Sequence, residues 1–127
     1  MRHIFAAILL TAALALPSVA AADPEQTPGS NVSVTTCHAQ LDKPQLTIGY
    51  KNLAATQATE IDFAIVVAVG TVESVKDIGK FGNETQIKHV FSLPADVSPL
   101  GLSSARCVVT KVRYADGTTW VNSSPPP

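Results

Sequence analysis

The residue in this sequence best suited to acid–base chemistry is His89. It alternates in phase with Ile87 and Phe91 in a run of apolar and polar residues, and this phase places it inward or at the edge of the core. A buried imidazole must be hydrogen-bonded. We therefore expect His89 either to link neighbouring groups structurally or to act as a poised acid or base.

A metal site would need more ligands than the sequence supplies in a recognisable spacing. His38 and His89 could form a pair, but no suitably spaced carboxylate or thiolate completes a set. The one methionine is Met1, which argues against a thioether-rich copper(I) carrier. We predict no metal site and no cofactor, and keep metal handling as a third hypothesis for function.

Cys37 and Cys107 are the two cysteines of the chain, and we predict that they form one structural disulfide. An even count in an exported chain favours a bridge. A redox pair usually has C-x-x-C spacing, which is absent, and a metal pair is the other alternative. A bridge across 70 positions contributes roughly 4 kcal/mol in the chain-entropy model.

Nucleophilic and paired-carboxylate chemistry find little support. The G-L-S-S-A segment at 101–105 does not match the G-x-S-x-G elbow of hydrolases. Glu60 and Asp62 are interpreted as part of a solvated sheet face, and Asp116 as a turn residue. The sequence therefore predicts a non-enzymatic protein, with a small hydrolase or lyase using His89 and a nearby acid as the alternative.

The N-terminus has the three parts of a cleavable secretory signal over residues 1–22. A short cationic start precedes the uncharged run Ile4–Leu16, and small residues with Ala20 and Ala22 follow. The run is about 13 residues, whereas a membrane-spanning helix needs about 20. We predict export to the periplasm or the extracellular medium, with no membrane span after cleavage.

Removal of the signal leaves one domain and a slightly acidic chain. Of the nine Lys and Arg one lies in the signal, so eight face ten Asp and Glu. No basic cluster is present, which argues against nucleic acid. We divide the rest into a flexible lead-in (23–30), a folded domain (31–122) and a Pro-rich tail (123–127).

Within 31–122 the hydrophobic period is two, which predicts strands. One long run continues through Val67 to Val69 and is apolar on both faces midway, so it should be a central strand. Val72–Lys80 is ambiguous between a strand and an irregular crossing, and Asp116-Gly117 predicts a two-residue hairpin turn. About seven strands predict an immunoglobulin-like β-sandwich, with a small barrel as the alternative. Tyr50 and Ala105 stand where antibody domains have Trp and Tyr.

Several stretches together resemble small exported proteins of proteobacteria that are generally described as uncharacterised. The closing pattern is C-x-V-x-x-V-x-[YF]-x-D-G-T-x-W. The stretches are Tyr50–Asn52, Ala58–Phe63, Asp77–Phe81, Ile87–Phe91 and Cys107–Trp120. The resemblance implies a sandwich with a single disulfide, and it implies no activity.

Two further features could provide a binding surface. The 94–106 segment is long and aperiodic, so it is either a functional loop or a crossover between sheets. Leu100 and Leu102 would be its contacts if they are exposed. Trp120, with Tyr114 and Phe91, forms either an exposed patch or part of the core.

The sequence thus predicts an exported non-enzymatic module that binds or supports an unknown protein or envelope component. This prediction depends on the absence of catalytic signatures and on analogy with other sandwiches. His89, Leu100, Leu102 and Trp120 are its possible binding residues.

Overall fold

A computed structural model describes residues 25–40 and 42–127, without the side chains of residues 25, 26, 99 and 100. The expected signal peptide and its cleavage site lie outside the described residues. In the described part of the chain, no helix is long and apolar enough to cross a membrane.

The described residues form eight strands and one 3₁₀ helix. They are β1 (Glu25–Gln26), β2 (Val32–Ala39), β3 (Gln45–Asn52), β4 (Ala58–Val67), β5 (Gly70–Phe81), β6 (Gln86–Ser92), η1 (Pro99–Leu102), β7 (Arg106–Tyr114) and β8 (Thr119–Val121). The ambiguous segment Val72–Lys80 belongs to β5, a strand of 12 residues.

The strands pair into two antiparallel sheets. Sheet A has the order β1-β2-β3-β6, in which β1 has two residues, and sheet B has the order β5-β4-β7-β8. This arrangement confirms the predicted β-sandwich of about seven strands, because apart from the two-residue β1 three strands form one layer and four form the other.

β4 confirms the predicted central strand. It lies between β5 and β7, and Ile61, Phe63 and Ile65 on its inner face are fully buried. The strand ends at Val67 and not at Val69 as predicted, since Gly70 adopts a φ of 122° and turns the chain. Val69 is consequently 90% exposed at the turn.

The predicted disulfide is present and joins the two sheets. Cys37 of β2 bonds to Cys107 of β7 across the core, with an S–S distance of 2.03 Å. Cys107 is fully buried. A buried disulfide fits an oxidising environment, such as that outside the cytoplasm.

The lead-in differs from the expected flexible segment. Thr27 and Ser30 are buried, and the Thr27 hydroxyl accepts a hydrogen bond from the Val109 N–H at 3.1 Å. The β4–β7 register shifts beside Val109. The Thr27 hydroxyl therefore accepts a hydrogen bond from a backbone N–H at a position where the strand pairing is irregular. Residues 27–30 are thus part of the packed domain.

The β7–β8 turn is larger than predicted. Tyr114 and Thr118 close it, because the Tyr114 N–H donates to the Thr118 carbonyl at 2.9 Å. Three residues lie between them, and Gly117 takes the left-handed conformation at φ 88°. A three-residue hairpin loop ending in a left-handed glycine is the next most common type after two-residue loops.

Candidate recognition site

One side of the sandwich is formed by two edge strands. β5 is the last strand of sheet B and β6 is the last strand of sheet A, so neither pairs on its outer side with another described strand. The short 82–85 loop joins them, and they therefore run in opposite directions along this side. We call it the open side.

A buried carboxylate connects the two sheets at the open side. Asp77 of β5 is only 4% exposed. Its Oδ2 accepts a hydrogen bond from the Tyr50 hydroxyl at 2.7 Å, and its Oδ1 lies 2.9 Å from Nδ1 of His89. Both oxygens are thus partnered, which compensates for taking a carboxylate out of water.

The contact with Asp77 orients the His89 ring. An ionised carboxylate can only accept, so Nδ1 carries the proton and donates it. Nε2 is then an acceptor in the neutral ring and a donor in the charged ring. The side chain is 48% exposed, its ring stacks on Phe91 with centroids 4.3 Å apart, and no described residue hydrogen-bonds to Nε2.

Tyr50, the other hydrogen-bond partner of Asp77, lies in the core. Its side chain is fully buried and packs on Phe63 with ring centroids 5.1 Å apart. Burial raises the pKa of the Tyr50 hydroxyl well above its usual value, and the Asp77 carboxylate raises it further. Tyr50 therefore remains a hydrogen-bond donor throughout the physiological pH range.

Half-buried apolar side chains extend the site along the open side. Val75 precedes Asp77 by two positions on β5, while Ile87 and Phe91 flank His89 on β6; all three pack against the core from partly exposed positions. Because side chains two positions apart share a face of a strand, these residues line one gap between the sheets. We call Val75, Ile87, His89 and Phe91 the open seam.

A histidine with a carboxylate at Nδ1 is the base of a catalytic triad without its nucleophile. Among the described residues, no hydroxyl or thiol hydrogen-bonds to His89. Four cavities lined by described residues have other side chains in their walls and not His89. The arrangement therefore provides an oriented, accessible imidazole on a surface.

The two histidines considered for a metal pair face opposite sides of sheet A. His38 is opposite Thr47 in the register, whereas His89 is opposite Ile48, and neighbouring positions of a strand point to opposite faces. In the described residues no group of three His, Cys, Asp or Glu side chains could hold a metal ion.

The other predicted binding residues do not join His89. Leu102 was predicted as a contact only if exposed, but it is 4% exposed and belongs to the core. The Leu100 side chain lies outside the described residues. Trp120 is half-buried against the core. Phe91 lies on β6 and Trp120 on β8, at opposite edges of the sandwich, so the two do not share one patch, and both pack against the core.

Glu60 and Asp62 lie on the outer face of sheet B and are less solvated than predicted. Lys76 and Lys111 cover Glu60, with N–O distances of 3.6 and 3.4 Å. Burial raises the pKa of Glu60, but these lysines and Arg113 outweigh it and hold the pKa below its usual value. Burial and the neighbouring Glu60 raise the pKa of Asp62. These charges form an ion-pair network on a sheet face.

Tyr50 and Asp77 were missed as site residues. Asp77 stands in phase with Val75 and Phe81, two apolar positions of β5. That phase could have predicted an inward-facing acid if Val72–Lys80 had been assigned as a strand.

No family model matches the chain, and no curated protein or solved structure is significantly similar to it. The strand order and the inter-sheet bridge define the class of protein, a disulfide-bonded β-sandwich.

Proposed function

We propose that this protein is an exported, non-enzymatic recognition module that binds an extended segment of a partner protein. The segment would add a strand to the free edge of β6, and Nε2 of His89 would be its central side-chain contact. The oriented, half-exposed imidazole beside this edge is the observation that carries the proposal.

The β6 edge is suited to strand addition. Its pairing with β3 continues without a register shift from Gln45–Ser92 to Lys51–Gln86, so its outer side presents a regular row of backbone donors and acceptors. β5 is less suited, because its pairing with β4 shifts register at two places. Val90 on β6 is 46% exposed and offers apolar contact to an added strand.

The Asp77 carboxylate makes His89 a better recognition residue. An exposed side chain normally loses rotamer freedom when it binds, which costs about 0.5–1.5 kcal/mol. The hydrogen bond at 2.9 Å and the stacked Phe91 ring already hold the imidazole. A hydrogen-bond donor on the partner can therefore bind to Nε2 with a smaller loss of side-chain entropy at His89.

Export is supported by the signal-like residues 1–22, by the disulfide, and by the likeness to small exported proteobacterial proteins. The partner would then be a protein or another component of the cell envelope or the surrounding medium.

The proposal is tested by photo-crosslinking in the native host. A photoreactive amino acid at Val90 of the full chain should give a discrete adduct with another protein, whereas the same group at Val121 on β8 should not. The adduct at Val90 should decrease strongly in the His89→Ala background and persist with Ile78→Thr, an exposed change on the outer face of sheet B. Equal adducts at both positions, or none at Val90, would reject the proposal.

The His89–Asp77 contact also favours a second candidate, a small hydrolase or lyase with His89 as general base. Turnover of ester or glycoside substrates that is lost in both His89→Ala and Asp77→Asn, and retained in Lys88→Ala, would support this activity. Turnover that survives both changes would dismiss it.

A further inference from the structure

An apolar cleft lies at the end of the domain where β4 turns into β5. Its volume is about 360 Å³, within the range of small-ligand sites. Four aliphatic side chains line it together with Asp96, Ser98 and Gly101. The four are Val67, Val72, Val97 and Leu102. We call it the Val72 cleft.

The polar groups of the Val72 cleft favour a cation. Asp96 is the one ionisable residue among the described residues that line the cleft. It is exposed and forms no ion pair with another described residue. Ser98 adds a hydroxyl oxygen that can accept a hydrogen bond. A carboxylate or phosphate would meet an unpaired negative charge there, whereas an ammonium would find acceptors.

We propose that the Val72 cleft binds a primary alkylammonium group, with the aliphatic chain against the valines and Leu102 and the ammonium at Asp96. The free amine of a small molecule and the side chain of a lysine share this chemistry. In both, an apolar stem lies on apolar surface while the charged end stays near water. This inference is independent of strand addition at β6.

The proposal predicts how affinity depends on the length of the ligand's alkyl chain and on its charge. Each methylene that leaves water improves affinity by about fourfold, so hexylammonium should bind up to about 15-fold more tightly than butylammonium. An exposed ion pair contributes up to about fivefold. Hexylammonium should therefore also bind better than hexanol, and hexanoate should bind worst.

The experiment is a titration of the purified protein followed by backbone amide NMR shifts. Hexylammonium should give saturable shifts at Val72 and Val97. Asp96→Asn should reduce its affinity to that of hexanol, and the isosteric Val72→Thr should weaken both ligands. Glu84→Gln, in the loop at the other end of β5, is the matched control and should change neither. Thermal unfolding of each variant checks that it is folded.

Two peptides that differ in one residue, lysine or norleucine, show whether the ammonium group comes from a lysine side chain or from a free amine. Tighter binding of the lysine peptide would identify a protein ligand, and binding of hexylammonium alone would identify a free amine. Equal affinity for hexanoate and hexylammonium, shifts remote from the cleft, or no saturation with hexylammonium and the lysine peptide would overturn the proposal.

Discussion

Replacement of Tyr50 by Phe isolates the hydrogen bond on which the open side depends. The change removes one oxygen and keeps the ring, so the contacts with Phe63 and Phe81, at centroid distances of 5.1 and 5.7 Å, can persist. Oδ2 of Asp77 loses its donor at 2.7 Å, and the carboxylate is too deeply buried for water to replace it fully.

The expected cost follows from the charge on the acceptor. A hydrogen bond to a charged group contributes about 1.5–3 kcal/mol, against about 0.5–1.5 kcal/mol for a neutral one. For a domain near 100 residues, 1 kcal/mol corresponds to about 4–8 °C in Tm. Tyr50→Phe should therefore lower Tm by about 6–24 °C.

Urea unfolding at pH 7 supplies the free energies for a double-mutant cycle. Asp77→Asn removes the charge and keeps a polar partner, so in that background Tyr50→Phe should cost about half as much. Tyr114→Phe is the matched control, because the Tyr114 hydroxyl donates to the neutral Ser30 carbonyl at 3.3 Å. It should cost at most about 1 kcal/mol.

The reasoning would be refuted if Tyr50→Phe cost no more than Tyr114→Phe. It would also be refuted if Asp77→Asn left the cost unchanged, since the bond would then not depend on a carboxylate.

Three further predictions concern stability. Cys37→Ser should lower Tm by about 16–32 °C in calorimetry, because the bridge contributes roughly 4 kcal/mol; an unchanged Tm would mean that the cysteines are not bonded. Gly79→Ala should cost about 1–3 kcal/mol, since its Cβ would lie 2.8 Å from the Phe81 ring, whereas Gly101→Ala meets nothing within 4 Å and should be neutral in the same urea assay. Asp62→Asn should raise Tm at pH 7. The pKa of Asp62 is raised in the folded state, so ionisation of this carboxyl destabilises the fold. The destabilisation is absent below the unfolded pKa of about 3.9 and increases as pH rises above it. A gain in Tm at pH 3 as large as at pH 7 would contradict this sign.

Strands with one buried face could be predicted residue by residue. Leu46, Ile48 and Tyr50 alternate with polar or small residues and are all fully buried. β5 was harder to assign, because it lies at an edge and exposes Val72 and Ile78. An edge strand buries less of its inner face, so its apolar period is weak.

The candidate site could be predicted in part. The phase of His89 is a local property, and it correctly indicated a position beside the core. Its half exposure depends on β6 being an edge strand, and the choice of Asp77 as partner depends on β5 crossing to the same side. The burial of Leu102 also depends on tertiary structure, since the 94–106 loop folds back over the end of the sandwich.

The strand periodicity, the single possible intramolecular disulfide and the inward phase of His89 could all be predicted, since each depends on residue types and on spacing along the chain. Which distant residues meet depends on how the two sheets pack. Tyr50 and Asp77 are 27 positions apart and lie in different sheets, and the stacking of those sheets brings their oxygens together. The order of strands in each sheet is a global outcome of packing, so local spacing could not reveal this contact.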